Sequence, residues 1–259
     1  MSEWILLTPD ETTGLGWRRS NHYGFCAQDA VVSLVYSELT KAIQTFPLCF
    51  ISSNPADQAF ELVGLQSFVP NVNLNIDEQG NWIAPYVPAA YRSYPFNLIA
   101  GDDPNQFYLG FDKSTGLLCG VSEPDALCFF GATGRPIPEV QAIIEFMQQR
   151  ENQRKLTQEA VNRLAQYNLI QPWEMSLNVA DGEREVQGLF RIDEQALLAL
   201  PSEALFELNR VGALSIAYGQ LFSIEQLEHL KTRFYSYKPY KSFDLETFFD
   251  ESNNDSIYF

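Results

Sequence analysis

Residues Gly80 to Phe96 read GNWIAPYVPAAYRSYPF. One Trp, three Tyr, one Phe and three Pro surround a single cation, Arg92. These side chains fill space and also offer a polar handle, which suits either a core or a binding surface. The prolines fix the backbone, so the stretch reads as a rigid joint around which the first half of the chain folds. Pro88 is placed to begin a short helix over PAAYRSY, and Pro95 to stop it.

Just before it, NVNLNID alternates. Val72, Leu74 and Ile76 share one face, and Asn71, Asn73, Asn75 and Asp77 the other, as in a half-buried strand. Glu78, Gln79, Gly80 and Asn81 then make a polar turn, so NWIAPY is expected to return as a hairpin arm. Further upstream, PLCFIS and AFELVGL read as strands. Ser37 is the expected cap of a helix running to Phe46. Its exposed side would carry Glu38, Lys41 and Gln44, and its inner side Leu39, Ala42, Ile43 and Phe46. Residues 1–30 form an irregular or strand-rich lead-in. On the other flank, FNLIA and QFYLGFD are strands divided by the turn residues Gly101 to Asn105.

From Pro138 the period becomes helical. Val140, Ile143, Ile144 and Met147 keep it, as do Leu156, Ala160, Val161 and Leu164. The polar run Gln148 to Lys155 leaves one helix or two open. EMSLNV and REVQGLFRID read as a hairpin around Ala180, Asp181 and Gly182. Asp193 is the expected cap of a short helix, EQALLAL, stopped by Pro201. Ser202 would cap EALFELNRVG, closed by Gly212. ALSIAYGQLF reads as a strand, and Ser223 as the cap of a last helix. The fold expected is α+β: a largely antiparallel sheet in the N-terminal half, a central helical segment, and a smaller α/β part at the C-terminal end. By composition the chain divides into a strand-rich part over 1–134, a helical and α/β part over 135–241, and an acidic aromatic tail over 242–259. The cut falls near Gly131 to Pro138, and one domain or two stays open. The tail reads as mobile or as a segment that docks in trans.

A net charge of −16 repels phosphate backbones and anionic membranes, so neither nucleic acid nor direct membrane insertion is expected. The N-terminal MSEWILLTPDE lacks the pattern of a secretory leader, and no run approaches the ~18 apolar residues of a membrane span. The expected compartment is the cytoplasm, with a surface location left open. Cys26, Cys49, Cys119 and Cys128 sit in apolar settings without CxxC spacing and read as buried free thiols. No metal site and no cofactor is expected.

The segments FPLCF, NVNLNIDEQGNWIAPYVPAAYRSYPF, LCFFG, NLIQPW and DGEREVQGLFRIDEQALLAL together resemble the SapC family of bacterial proteins. The resemblance covers roughly Arg18 to Arg233. It implies an accessory or binding protein of unknown activity. The family's setting implies an uptake or tailoring gene cluster with TonB-type receptors and halogenase-like flavoproteins. Its name attaches a surface-layer role as the alternative. It implies no catalytic residues.

The residues themselves name no reaction. GxSxG and HExxH are absent, and the only histidines, His22 and His229, lie far apart. His22, in RRSNHYGFC, is the better candidate, either bonded to backbone or catalytic. GATGRPIP offers a loop before a helix but lacks phosphate-cradle spacing. The candidate ligand contacts are Trp82, Tyr86, Tyr91, Arg92, Tyr94 and His22. Aromatic rings stack on planar ligands, and an arginine forks onto carboxylate or phosphate. The competing reading makes the rings core and pairs Arg92 with Asp77 or Glu78. A protein partner or a small ligand fits the first reading.

Overall fold

The computed structural model describes residues 3–52, 59–101, 107–179, 182–237 and 256–258. In chain order the strands are β1 Trp4–Leu6, β2 Leu15–Trp17, β3 Val31–Ser33, β4 Leu48–Ile51, β5 Glu61–Leu65, β6 Phe96–Ala100 and β7 Phe107–Asp112. They continue as β8 Leu118–Gly120, β9 Leu127–Cys128, β10 Ile170–Pro172, β11 Met175–Val179, β12 Gly182–Gln187, β13 Leu189–Ile192 and β14 Ser256–Tyr258. The helices are α1 Leu39–Ala42, α2 Ala89–Arg92, α3 Pro138–Gln166, α4 Glu194–Leu198, α5 Ser202–Arg210, α6 Ala213–Ser223 and α7 Gln226–Ser236. The fold is mixed α+β, with antiparallel sheets in the N-terminal half and a long central helix. Among the described residues no helix is long and apolar enough to cross a membrane.

Contacts separate the chain into two compact units, each built from two segments. The first is Met1–His22 with Tyr91–Asn152, and the second is Tyr23–Ala90 with Gln153–Phe259.

The first unit holds two three-stranded sheets, β1-β7-β6 and β8-β2-β9. Its core is aromatic. Phe96 meets Trp17 edge-on at 4.9 Å and Phe111 at 5.2 Å, and Phe111 meets Phe129 at 5.4 Å. Val140 and Met147, from the start of α3, close this cluster. Such T-shaped contacts add to the burial of large apolar area. Gly16 of β2 lies opposite both Cys119 and Cys128. A Cβ there would come within 2.9 Å of the Leu127 carbonyl, so the crossing needs glycine. These two thiols are only half-buried, contrary to expectation, whereas Cys26 and Cys49 are buried. Burial, helped by the Asp29 charge, pushes the Cys26 thiol up to about 12.

The second unit is organised on a five-stranded sheet, β10-β13-β4-β5-β3. Its core gathers Val63, Leu65, Phe68, Trp173, Leu189 and Phe234. A further sheet, β11-β12-β14, contains the expected hairpin, and β14 joins β12 in parallel. The expected tail lies outside the described residues except for that strand, whose backbone pairs with the chain's own β12.

Several expectations are corrected. ALSIAYGQLF is not a strand but α6. Ala213, Ile216, Ala217, Gly219, Gln220 and Ser223 are its buried residues, a helical stripe rich in small side chains that lets it lie close on β4 and β13. Gln220 explains the choice. Its Oε1 accepts from Ile192 N at 3.0 Å and its Nε2 donates to the Leu48 carbonyl at 3.3 Å. The side chain thus satisfies backbone groups of two strands. Ser223 ends this helix rather than capping the next, because its Oγ accepts from Leu48 N at 2.8 Å. Ser202 is the first residue of α5, with Pro201 at the cap position. Ser37 lies within a short 3-10 turn before α1, and Glu38 is buried at 4 % exposure instead of solvated. The polar run Gln148 to Lys155 does not break α3, although Leu156 is exposed rather than inward. REVQGLFRID is two strands, parted at Gly188 with φ 82°. Expectations met include β4, β5, β6, β7, the Asp193 cap and the Gly212 stop with φ 75°. The helix after Pro88 is likewise present as α2.

NVNLNID is the most informative correction. It is a chain of turns with one isolated bridge, Ile76 to Trp82, and two residues of its polar face, Asn73 and Asn75, point inward while Asn71 stays exposed. Asn73 is 4 % exposed and Asn75 1 %. The Asn73 amide donates to the Cys26 carbonyl at 3.0 Å, and its Oδ1 accepts from Asn75 N at 3.0 Å. These carboxamides replace the ladder partners a strand would have had.

Candidate functional site

The six candidate residues fall into both units. Trp82 and Tyr86 belong to the second, and His22, Tyr91, Arg92 and Tyr94 to the first. The joint after the NVNLNID turns therefore divides between Ala90 and Tyr91.

In the second unit the aromatic side chains are wired to the backbone and to one carboxylate. Trp82 donates its indole N–H to the Tyr86 carbonyl at 3.1 Å. Its ring packs at 5.7 Å from Tyr23 and 6.4 Å from Phe46. The Tyr86 hydroxyl donates to Glu38 Oε2 at 2.7 Å, and Ala89 N donates to the same oxygen at 2.8 Å. Glu38 Oε1 accepts from Val35 N at 2.9 Å. A buried carboxylate that accepts from three donors has its desolvation offset by those hydrogen bonds. Lys41 adds its ammonium 5.8 Å from the Tyr86 ring centroid. Sequence reasoning missed Glu38. Only the Val35 contact is local; the donors at Tyr86 and Ala89 come from about fifty positions away, beyond the reach of a local pattern.

In the first unit Tyr91 is 7 % exposed and serves packing. Tyr94 donates its hydroxyl to Asp112 Oδ2 at 3.3 Å. Burial, then the Asp112 charge, pushes the Tyr94 hydroxyl up to about 12. Asp112 is 1 % exposed. Burial opposes its ionisation, but donors from Ser114, Glu3 and Tyr94 outweigh burial and hold its carboxyl below the usual range. Arg92 is exposed and lies 5.0 Å over the Phe146 ring. Asp77, one of its expected acidic partners, spends its oxygens on Gln79 N and Asn81 of its own turn. His22 is exposed, and its backbone N–H donates to Ser20 Oγ at 3.0 Å. Asp193 caps α4 through Ala196 N, and its own N–H donates to the Leu169 carbonyl at 2.8 Å.

A feature the sequence did not announce is a cleft of about 730 Å³ in the second unit. Tyr36, Leu39, Ile43, Tyr218 and Phe222 line it, and the last two rings stack at 6.1 Å. It became visible only with α6 as a helix, which sets Tyr218 and Phe222 one turn apart.

A family model described as SapC matches residues 7–230 of the 259. No curated protein and no solved structure matches the chain. The matched span reaches into both units and includes all six candidate ligand contacts, and by that measure this chain belongs to the SapC family.

Proposed function

We propose that the chain is a non-catalytic binding protein, an accessory to a bacterial uptake or tailoring system acting in the cytoplasm, and that Arg92 anchors what it binds. The observation that carries this reading is the exposed guanidinium set 5.0 Å over Phe146. Stacking on a ring restrains the guanidinium plane, and a restrained fork loses less entropy when it meets a carboxylate or phosphate. Tyr94, fixed through Asp112, stands two residues away and supplies a rigid aromatic neighbour in the same unit.

The test is co-purification of the full chain with the products of its neighbouring genes. Arg92→Ala should lose the bound partner while its circular dichroism stays that of the parent. Retained binding, or gross unfolding, overturns the role of Arg92. Assembly of the purified chain into ordered sheets would favour the surface-layer reading instead.

A further inference from the structure

Arg233 stands in the last turn of α7. The next residue, Phe234, is buried edge-on against Phe68 at 5.8 Å, so this turn is pinned to the core of the second unit. The guanidinium is half-buried and donates through Nη1 to Asn75 Oδ1. Asn75 is itself held on both sides. Its N–H donates to Asn73 Oδ1 at 3.0 Å, and its carbonyl accepts from Ile83 N at 2.9 Å.

A guanidinium only donates, so the atom of Asn75 that faces it has to be the oxygen. The amide nitrogen is thereby committed as a donor, and it is buried with no acceptor. Arg233 uses one of the five N–H donors of a guanidinium. Among the described residues it has no acidic partner within 4.0 Å. This is unusual in a chain with 33 acidic and 17 basic side chains. A cation taken out of water without a counter-charge is costly, and a buried amide without an acceptor adds to that cost. Burial accordingly lowers the Arg233 pKa. Covalent geometry keeps Oδ1 and Nδ2 of one carboxamide little more than 2 Å apart, roughly, so the orphan donor lies beside the guanidinium.

The orphan Asn75 amide and the remaining Arg233 N–H groups are neighbouring donors, and among the described residues no acceptor answers them. We infer that Arg233 and the Asn75 carboxamide form a receptor for a small oxyanion, a carboxylate or a phosphate. Such a group is acceptor-only and matches a site that offers only donors. The site lies in the second unit and does not rest on the role given to Arg92.

Thermal melting of the full chain tests this, in sodium chloride, sodium succinate or inorganic phosphate at matched ionic strength. Succinate or phosphate should raise Tm by several degrees over chloride, and the effective anion names the class. Arg233→Met should remove the shift. Asn75→Asp places a fixed carboxylate beside the guanidinium, so it should fold with the pair satisfied and also lose the shift. That second variant keeps the test decisive if Arg233→Met does not fold. Two anions no better than chloride, or a shift that survives in either folded variant, would overturn the inference.

Discussion

The two units solve the problem of a core in different ways. The first buries rings against rings: Trp17, Phe96, Phe111 and Phe129 form an edge-on cluster under short antiparallel strands. The second also buries apolar side chains, but threads polar ones between them. Glu38, Asn73, Asn75 and Gln220 are each no more than 4 % exposed, and each hydrogen-bonds a segment distant in sequence. The lesson concerns specificity. An aromatic cluster tolerates some exchange of shape, whereas a buried polar group demands its own partners. Irregular chain such as NVNLNID can be buried only because such partners satisfy its backbone.

The largest effect that would break the contrast is Phe111→Ala. The ring is fully buried and touches both Phe96 and Phe129, so its loss should cost about 4 kcal/mol in denaturant unfolding. Phe111→Leu, which keeps most of the volume, should cost clearly less. Equal losses from both would mean that this core is as specific as its neighbour.

Gln220→Met asks the opposite question. Methionine nearly matches the shape of glutamine but leaves Ile192 N and the Leu48 carbonyl unpaired. The expected loss is about 3 kcal/mol, from two buried backbone groups left without partners. A neutral result would show that volume, not hydrogen bonding, holds α6 on its sheet.

The smallest effect is a pH dependence in the first unit, where Asp112 is also a buried carboxylate. The Asp112 carboxyl is held below its ordinary 3.8 in the fold. Its contribution is therefore present above that value and is lost as pH falls through the lower, folded one. Asp112→Asn should flatten the acid limb of the stability curve and leave the limb near neutrality unchanged in slope. An unchanged acid limb would place the acid sensitivity elsewhere.

The contrast also explains what could be read in advance. The strands of the first unit, FNLIA and QFYLGFD, alternate or run apolar between turn residues, and they form β6 and β7. The Asp193 cap and the Gly212 stop are local chemistry, settled by neighbours in sequence. The misreadings cluster in the second unit. NVNLNID carries the alternation of a strand, yet Asn73 and Asn75 turn inward to meet Cys26 and Arg233. ALSIAYGQLF has the β-branched and aromatic content of a strand, yet it packs as a helix because Gln220 and Ser223 bond the backbone of the sheet beneath. Of the candidate ligand contacts, the stretch was legible as a rigid aromatic joint, but the partner of Tyr86 was not.

By itself the sequence determined the α+β class, the breaks at Pro, Gly and Asp, the family, and the concentration of aromatic residues around Arg92. Those depend on period, turn chemistry and caps, which act over a few residues. Only the tertiary structure decided which polar groups are buried, where the chain divides within Gly80 to Phe96, and that Arg233 has no acidic partner among the described residues. The reason is that burial and hydrogen-bond satisfaction are set by residues far apart in sequence. The guanidinium of Arg233 meets the carboxamide of Asn75 across 158 positions, and no local pattern encodes that meeting.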